Sequence, residues 1–288
     1  MMIYLAIHIS VKLNKYNGNV HVTAGSKMSF FTLFNEITSA VSDATRNIAG
    51  TPDAGIVVEM GADGTPTKAI DKIAEDIILS YLRDAEACGE VISEEVGRCR
   101  ISDADGIIIL DPIDGTYNAV QGIPYYAISA AYMENGEVTA AYISNLGHYE
   151  VFTAEKNAGA FLNGKPIRVS DVDTLDTATL SLYGKRDDTR PFMRIASQIR
   201  RWRHLGASAL ELAYIGCGRI DGVVDMRGTL RYTDAAAGML ICEEAGGSVT
   251  TAMGESIAFS EDVREGRALI ATNGLLQDEI IRCLENAE

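Results

Sequence analysis

Residues 107–120 read IIILDPIDGTYNAV, and the reading of this stretch decides the fold. Four consecutive apolar residues mark a buried strand, and the strand runs directly into Asp111-Pro112-Ile113-Asp114-Gly115-Thr116. Asp111 therefore sits at a strand end rather than on a mobile loop. Pro112 has a fixed φ and biases Asp111 toward extended backbone, while Gly115 permits a sharp turn. Such a corner can aim both carboxylates, and the Ile113 carbonyl, at one point. Read alone, it could equally be a turn in which Asp114 hydrogen-bonds its own backbone.

Other carboxylates join it. Glu94 and Glu95 end a second short strand-like stretch, Ile92-Ser93-Glu94-Glu95, and Asp234 opens a helix in Tyr232-Thr233-Asp234. Carboxylates converging from strand ends and a helix start repel one another unless hard cations sit between them, and oxygen-only ligands select Mg2+ or Mn2+ over Zn2+. A calcium loop starting at Asp103-Ala104-Asp105 fails on register. Ile108 stands where the sharp-turn glycine belongs, and Asp114 stands where the bidentate Glu belongs. Asp103 and Asp105 read as a solvated turn.

Working outward, Phe30, Phe34, Ile37, Val41, Ala44 and Ile48 have helical spacing, closed by Gly50-Thr51-Pro52. A second helix over residues 67–87 places Ile70, Ile73, Ala74, Ile77, Ile78 and Leu82 on one face. Strands follow at 107–110, 126–133, 138–143, 150–154 and 159–162, with Asn135-Gly136 and Asn163-Gly164 as hairpin turns. These strands predict one antiparallel sheet covered by the two helices. Beyond residue 172 the pattern alternates: strands at 179–183, 221–226 and 268–272, and helices near 190–200, 207–217, 234–245 and at the C-terminus. The expected organisation is an extension or hairpin about Asn17-Gly18 over residues 1–27, an α+β metal-binding half over 28–172, and an α/β substrate half over 173–288. A ligand cleft is expected between the halves.

Composition narrows the function. Forty acidic against 25 basic residues leave a formal charge of −15, which repels nucleic acids and anionic membranes. A small anion can still bind where metal ions or clustered basic residues reverse the local field. The five cysteines form no C-x-x-C pair, so a reducing cytoplasm is expected rather than a disulfide framework. The N-terminal apolar run is far shorter than the roughly 18 residues of a membrane span and lacks a cleavage pattern. The four histidines have no metal-like spacing, and the Gly206-Ala207-Ser208 stretch lacks the second glycine of a nucleophile elbow.

The strings GADGTPTKAID, ISEE, LDPIDGTYN, AGAFLNGKPIRVS, LGASALELAYIGCGRIDG and TDAAAGMLICEEAGG resemble the inositol monophosphatase family of Mg2+-dependent sugar phosphatases. The spacing of GADGTPTKAID and the segment VVDMRGTLRYTD are similar to its archaeal-type members that hydrolyse both fructose 1,6-bisphosphate and inositol phosphates. The resemblance implies a layered αβαβα sandwich of α+β class, usually a homodimer, acting on a small phosphorylated sugar or inositol. It implies Glu94, Asp111 and the Ile113 carbonyl as ligands of a first metal, and Asp111, Asp114 and Asp234 as ligands of a second, with a third ion leaning on Glu94. Asp71 and Thr116 match the pair that deprotonates the attacking water, in a two-metal scheme without a phosphoenzyme. Asp114, Gly115 and Thr116 would meet the phosphate, with backbone N–H groups contributing. Glu95 is the weaker candidate ligand, because adjacent carboxylates rarely both reach one ion.

On the substrate side, Ser208 and Asp225 match stretches that contact sugar hydroxyls, although Ser208 could instead cap the helix beside it. A basic run at Arg200-Arg201-Trp202-Arg203, with Lys185, Arg186, Arg227 and Arg231 near in sequence, could hold a second phosphate. Arg203 and Arg227 are the first choices. Trp202 and Tyr117, Tyr125, Tyr126 and Tyr183 read mainly as core. The rival readings are a 3'(2'),5'-bisphosphate nucleotidase of the same superfamily and a non-catalytic metal or phosphosugar sensor.

Overall fold

Along the central strands, neighbouring apolar residues point to opposite faces, and each face meets a different helical layer. In the computed structural model, which describes residues 29–185 and 187–285, this alternation builds five layers. The expectation of a hairpin at Asn17-Gly18, and Arg186, lie outside the described residues. The first half contains α1 (Phe30–Thr45), β1 (Val57–Met60), β2 (Pro66–Lys68), α2 (Ala69–Asp84), β3 (Glu90–Ser93), β4 (Gly97–Arg100), β5 (Ile107–Asp114) and α3 (Thr116–Gln121). There follow β6 (Ala127–Glu134), β7 (Glu137–Asn145), β8 (Glu150–Glu155), β9 (Gly159–Leu162) and β10 (Lys165–Pro166). The second half contains β11 (Thr179–Tyr183), α4 (Arg190–Ala196), β12 (Arg201–Arg203), α5 (Ser208–Gly216), β13 (Gly222–Arg231), α6 (Tyr232–Glu244), β14 (Ser248–Thr250), β15 (Gly266–Thr272) and α7 (Gln277–Glu285).

On β5, Ile108 and Leu110 pack with Phe34, Ile37, Ile70 and Ile78 of α1 and α2. Ile109, between them, packs on the other face with Leu210 and Ala213 of α5 and Ile241 of α6. The far sides of α5 and α6, including Leu212, Ile215 and Cys242, meet Val223, Leu269 and Ala271 of the second sheet. Leu180, Val224 and Ile270 on its outer face are covered by Ile195 of α4 and Ile280 of α7. The αβαβα sandwich is thus present, and α5 and α6 form its middle layer. Buried on both sides, these helices lack a polar stripe. At Gly238 they approach so closely that a Cβ would lie 2.6 Å from Leu212 Cβ.

The first sheet has eight strands in the order β10-β9-β8-β7-β6-β5-β3-β4, and the second has five in the order β12-β11-β13-β15-β14. The five strands read as an antiparallel sheet, β5 to β9, pair antiparallel throughout, while β3, outside that set, pairs in parallel with β5. A parallel neighbour requires a crossover connection; here β4 and its following turn supply it, and the pairing brings the end of β3, and Glu94 after it, beside the end of β5. The hairpin turns behave as read, with positive φ at both Asn135-Gly136 and Asn163-Gly164. The second helix is shorter than its periodicity, ending at Asp84. The face of α2 also differs: Ile73 and Ile77 are half-buried, while Glu75 is fully buried.

Candidate active site

The corner at the end of β5 is a β-bulge. Asp111 pairs with Ser129 and Asp114 with Ala127, so β5 spends one more residue than β6 over this span. In a regular strand residues three apart point to opposite faces. The extra residue cancels that offset, and both aspartates project to the side of α5 and α6. Pro112 is tolerated because the bulge interrupts the ladder. Strand β5 accordingly runs through to Asp114 rather than stopping at Leu110.

Two helix starts bring further carboxylates. Asp71 and Asp234 are each the third residue of a helix, and each accepts a hydrogen bond from the backbone N–H just before it, Lys68 at 3.1 Å and Arg231 at 2.8 Å. This first-turn position explains why Asp71 is only 3% exposed, where an aspartate inside a helix ordinarily faces water. One oxygen each from Glu94, Asp111 and Asp234 can be chosen within 4.8 Å of one another. The donors are all carboxylate oxygens, so the trio fits a hard divalent ion and not a thiolate-seeking metal.

Electrostatics agree with a cation-seeking site. Burial, then the charges of Glu94, Asp114 and Asp234, push the Asp111 carboxyl well above the ordinary range. Burial also raises Glu94, with Arg231 acting against it. Asp114 is pushed up to about 8 by burial and by Asp234. It stands apart from the trio: its Oδ2 accepts from Leu210 N at 3.2 Å, in the first turn of α5, where the helix dipole favours an anion. Ile113 keeps its carbonyl at the corner, and its N–H donates to Asp111 Oδ1 at 3.0 Å.

The Asp71 and Thr116 pair forms as the resemblance implied. Thr116 Oγ1 lies 2.9 Å from Asp71 Oδ1 and 3.0 Å from the Ile113 carbonyl, so its single proton can go to either acceptor. Burial raises Asp71 to about 7, with Glu95 adding to the rise. Glu95 itself turns away from the trio and accepts from the Thr67 hydroxyl. Gly115 takes up left-handed backbone at φ +88° and seats the turn against the loop at Gly206 and Ala207.

The substrate-side residues are only partly gathered. Asp225 is buried and grips Arg227, whose guanidinium lies 4.1 Å from the Tyr183 ring centroid. Its oxygens are thus engaged by a cation. Ser208 begins α5 after Ala207 and makes no side-chain cap bond, so the capping alternative fails. Arg203 is exposed on the edge strand β12, with Nη1 donating to the Trp202 carbonyl at 2.9 Å. Trp202 and Tyr117 are exposed rather than core, at 51% and 73%, because β12 and the outer side of α3 face solvent.

Sequence reasoning missed the buried acids around the site. Glu75, one helical turn beyond Asp71, accepts from Ser93 Oγ at 2.6 Å and Val96 N at 3.0 Å, and so braces the segment carrying Glu94. The i,i+4 spacing from Asp71 was the available signal. Glu211 Oε1 accepts from Tyr183 Oη at 2.8 Å, Leu205 N at 2.8 Å and Gly206 N at 3.1 Å, holding the loop that packs on Gly115.

Burial raises Glu211 from 4.5 to about 7. Within that window the folded chain retains a proton that the unfolded chain has released, so stability falls as pH rises and remains reduced above it. Glu211→Gln keeps an acceptor for the loop amides without a charge. The variant is expected to be more stable than the parent at about pH 8, by about 2–3 kcal/mol, with the gain gone near about pH 4. Thermal melts of both proteins across that range check it.

The five-layered sandwich is the fold of solved inositol monophosphatases. The chain belongs to the inositol monophosphatase family, whose model matches residues 30–288. It is 41% identical over 261 residues to the fructose-1,6-bisphosphatase/inositol-1-monophosphatase of Methanothermobacter thermautotrophicus, covering 85% of this chain and 92% of that one. It is 31% identical to the bifunctional NADP phosphatase/NAD kinase of Methanococcus maripaludis, where 90% of this chain spans 50% of the relative. A crystal structure of an inositol monophosphatase–fructose 1,6-bisphosphatase superposes with a TM-score of 0.81 at 28% identity, covering 90% of this chain and 99% of that one.

Proposed function

We propose that this chain is a Mg2+-dependent phosphomonoesterase that hydrolyses fructose 1,6-bisphosphate and inositol 1-phosphate by direct attack of water, without a phosphoenzyme. The observation that carries the reading is the contact of Thr116 with Asp71, set beside the trio Glu94, Asp111 and Asp234. When bound, divalent ions at the trio and at Asp114 would lower the pKa of a coordinated water and offset phosphate charge. Ionised Asp71 takes a proton through the Thr116 hydroxyl, whose oxygen faces the attacking water. The Gly115 and Thr116 amides orient the phosphate. Arg227, held by Asp225 and the Tyr183 ring, is the candidate for a second phosphate, with Arg203 as the outer alternative. Ser208 and Asp225 remain the candidates for hydroxyl contact.

The same reading makes the protein a cytoplasmic homodimer. Its five cysteines form no disulfide with one another, in keeping with a reducing compartment. Among the described residues no helix is long and apolar enough to cross a membrane.

Phosphate release measured side by side from fructose 1,6-bisphosphate and inositol 1-phosphate, with Mg2+ and then with EDTA, tests the proposal. Turnover of both, abolished by EDTA, is the expected result. Because a relative carries an NADP phosphatase, NADP and adenosine 3',5'-bisphosphate belong in the same panel. Turnover of those two alone would replace the sugar reading with a nucleotidase. No turnover of any would leave a sensor.

A further inference from the structure

Arg231 is the last residue of β13 and directly precedes α6. The basic cluster read from sequence placed it among side chains that could meet a second phosphate. Its guanidinium points elsewhere. Nε and Nη2 donate to the two oxygens of Asp234, each at 3.2 Å, and Nη2 lies 2.8 Å from Glu94 Oε1. Nη1 donates to Asp63, whose side chain is 1% exposed in the turn between β1 and β2. Asp63 is itself fixed by the Thr65 backbone N–H at 2.8 Å.

Two of the three carboxylates suited to a divalent ion are therefore already satisfied by a side-chain cation. A hard ion such as Mg2+ needs these oxygens at about 2.0–2.1 Å, with their lone pairs directed at it. An oxygen donating electron density to such an ion cannot keep a full-strength bond to a guanidinium. The positive charge of Arg231 also opposes the approach of a second cation. We propose that Arg231 is an internal counter-cation, which neutralises Glu94 and Asp234 in the metal-free protein and gives up those oxygens when a divalent ion binds. Asp63 is the anchor that keeps the displaced guanidinium close. Arg231 is in this account a positioning residue, linking the β1–β2 turn to metal loading. The inference rests on the reading of Glu94, Asp111 and Asp234 as ion ligands.

The test is a Mn2+ titration of the full chain, followed by the electron paramagnetic resonance signal of free Mn2+, for the parent and Arg231→Met. Removing a competitor is expected to tighten Mn2+ binding at least about tenfold, equivalent to about 1.4 kcal/mol. In EDTA the variant should melt several degrees below the parent, since its carboxylates lose their counter-charge, and saturating Mn2+ should close that gap. If the parent binds Mn2+ and Arg231→Met binds it equally or more weakly, Arg231 merely props Asp234 and the proposal falls. If the folded parent binds no Mn2+, the ligand assignment fails first and this inference fails with it. Should Arg231→Met not fold in EDTA, Arg231→Lys takes its place. Its compact ammonium can satisfy fewer of the three carboxylates, so tighter Mn2+ binding than the parent is again expected, and unchanged or weaker binding is the overturning result.

Discussion

Asp71→Asn is expected to lower phosphate release about a thousandfold while leaving the protein folded, within the range seen when a general base is removed. The asparagine carbonyl can still accept from the Lys68 N–H that Asp71 now accepts at 3.1 Å. What it loses is the capacity to take a proton from Thr116, 2.9 Å away. Burial pushes Asp71 up to about 7, so an amide there removes a costly buried charge and the melting temperature should not fall. The ionised form is the working base, and activity is therefore expected to rise with pH through the Asp71 titration. Added positive charge nearby favours the ionised carboxylate, so this limb should move to lower pH as Mg2+ is raised. Rates with saturating Mg2+, together with melting curves, decide the matter. Undiminished turnover by Asp71→Asn would assign the base to another group.

Gly115→Ala should cost about 3 kcal/mol of stability and more than tenfold in turnover. The left-handed conformation alone disfavours an alanine by about 1–2 kcal/mol. The added methyl would also lie 2.9 Å from Ala207 Cβ, 3.1 Å from the Tyr125 carbonyl and 3.2 Å from the Gly206 carbonyl, and overpacking of this kind adds about 1–3 kcal/mol. Relief requires the turn to part from the loop, which moves the Thr116 hydroxyl and the amides assigned to the phosphate. Gly159 provides the comparison: its φ is +87°, but a Cβ there meets open space. Gly159→Ala should therefore show the backbone cost alone, with turnover unchanged. Equal losses in denaturant melts of the two variants would mean that the contact with Ala207 contributes nothing.

Much of the architecture was legible because it is written in local periodicity. The helical repeat from Phe30, the alternation along the strands and the two Asn-Gly turns depend on near neighbours in the chain, and each reappears in α1, in β5 to β9 and in the positive φ values. The short strands β4, β12 and β14 were not visible. Segments of three or four residues carry too little pattern, and their extended form is set by the sheet edge they join.

For the candidate site, Asp111-Pro112-Ile113-Asp114-Gly115-Thr116 and Tyr232-Thr233-Asp234 named the acidic residues directly, and the strand-end and helix-start contexts were readable with them. Their electrostatic surroundings were not. Asp225 and Arg227 are two apart in sequence, yet nothing local tells whether they face one ligand together or pair with each other, as they do here. Arg231 looked like one basic residue among several until β1 and β2 carried Asp63 to it.

The sequence by itself determined the class of fold, the oxygen-only chemistry of the acidic residues and the backbone freedom needed at Gly115. Tertiary structure alone decided the bulge that turns Asp111 and Asp114 to one side, the burial that raises Asp71 and Glu211, and the partner of each arginine. The reason is physical: pleat, cap and turn preferences act over a few residues, whereas desolvation and ion pairing depend on groups brought together by strand pairing and layer packing.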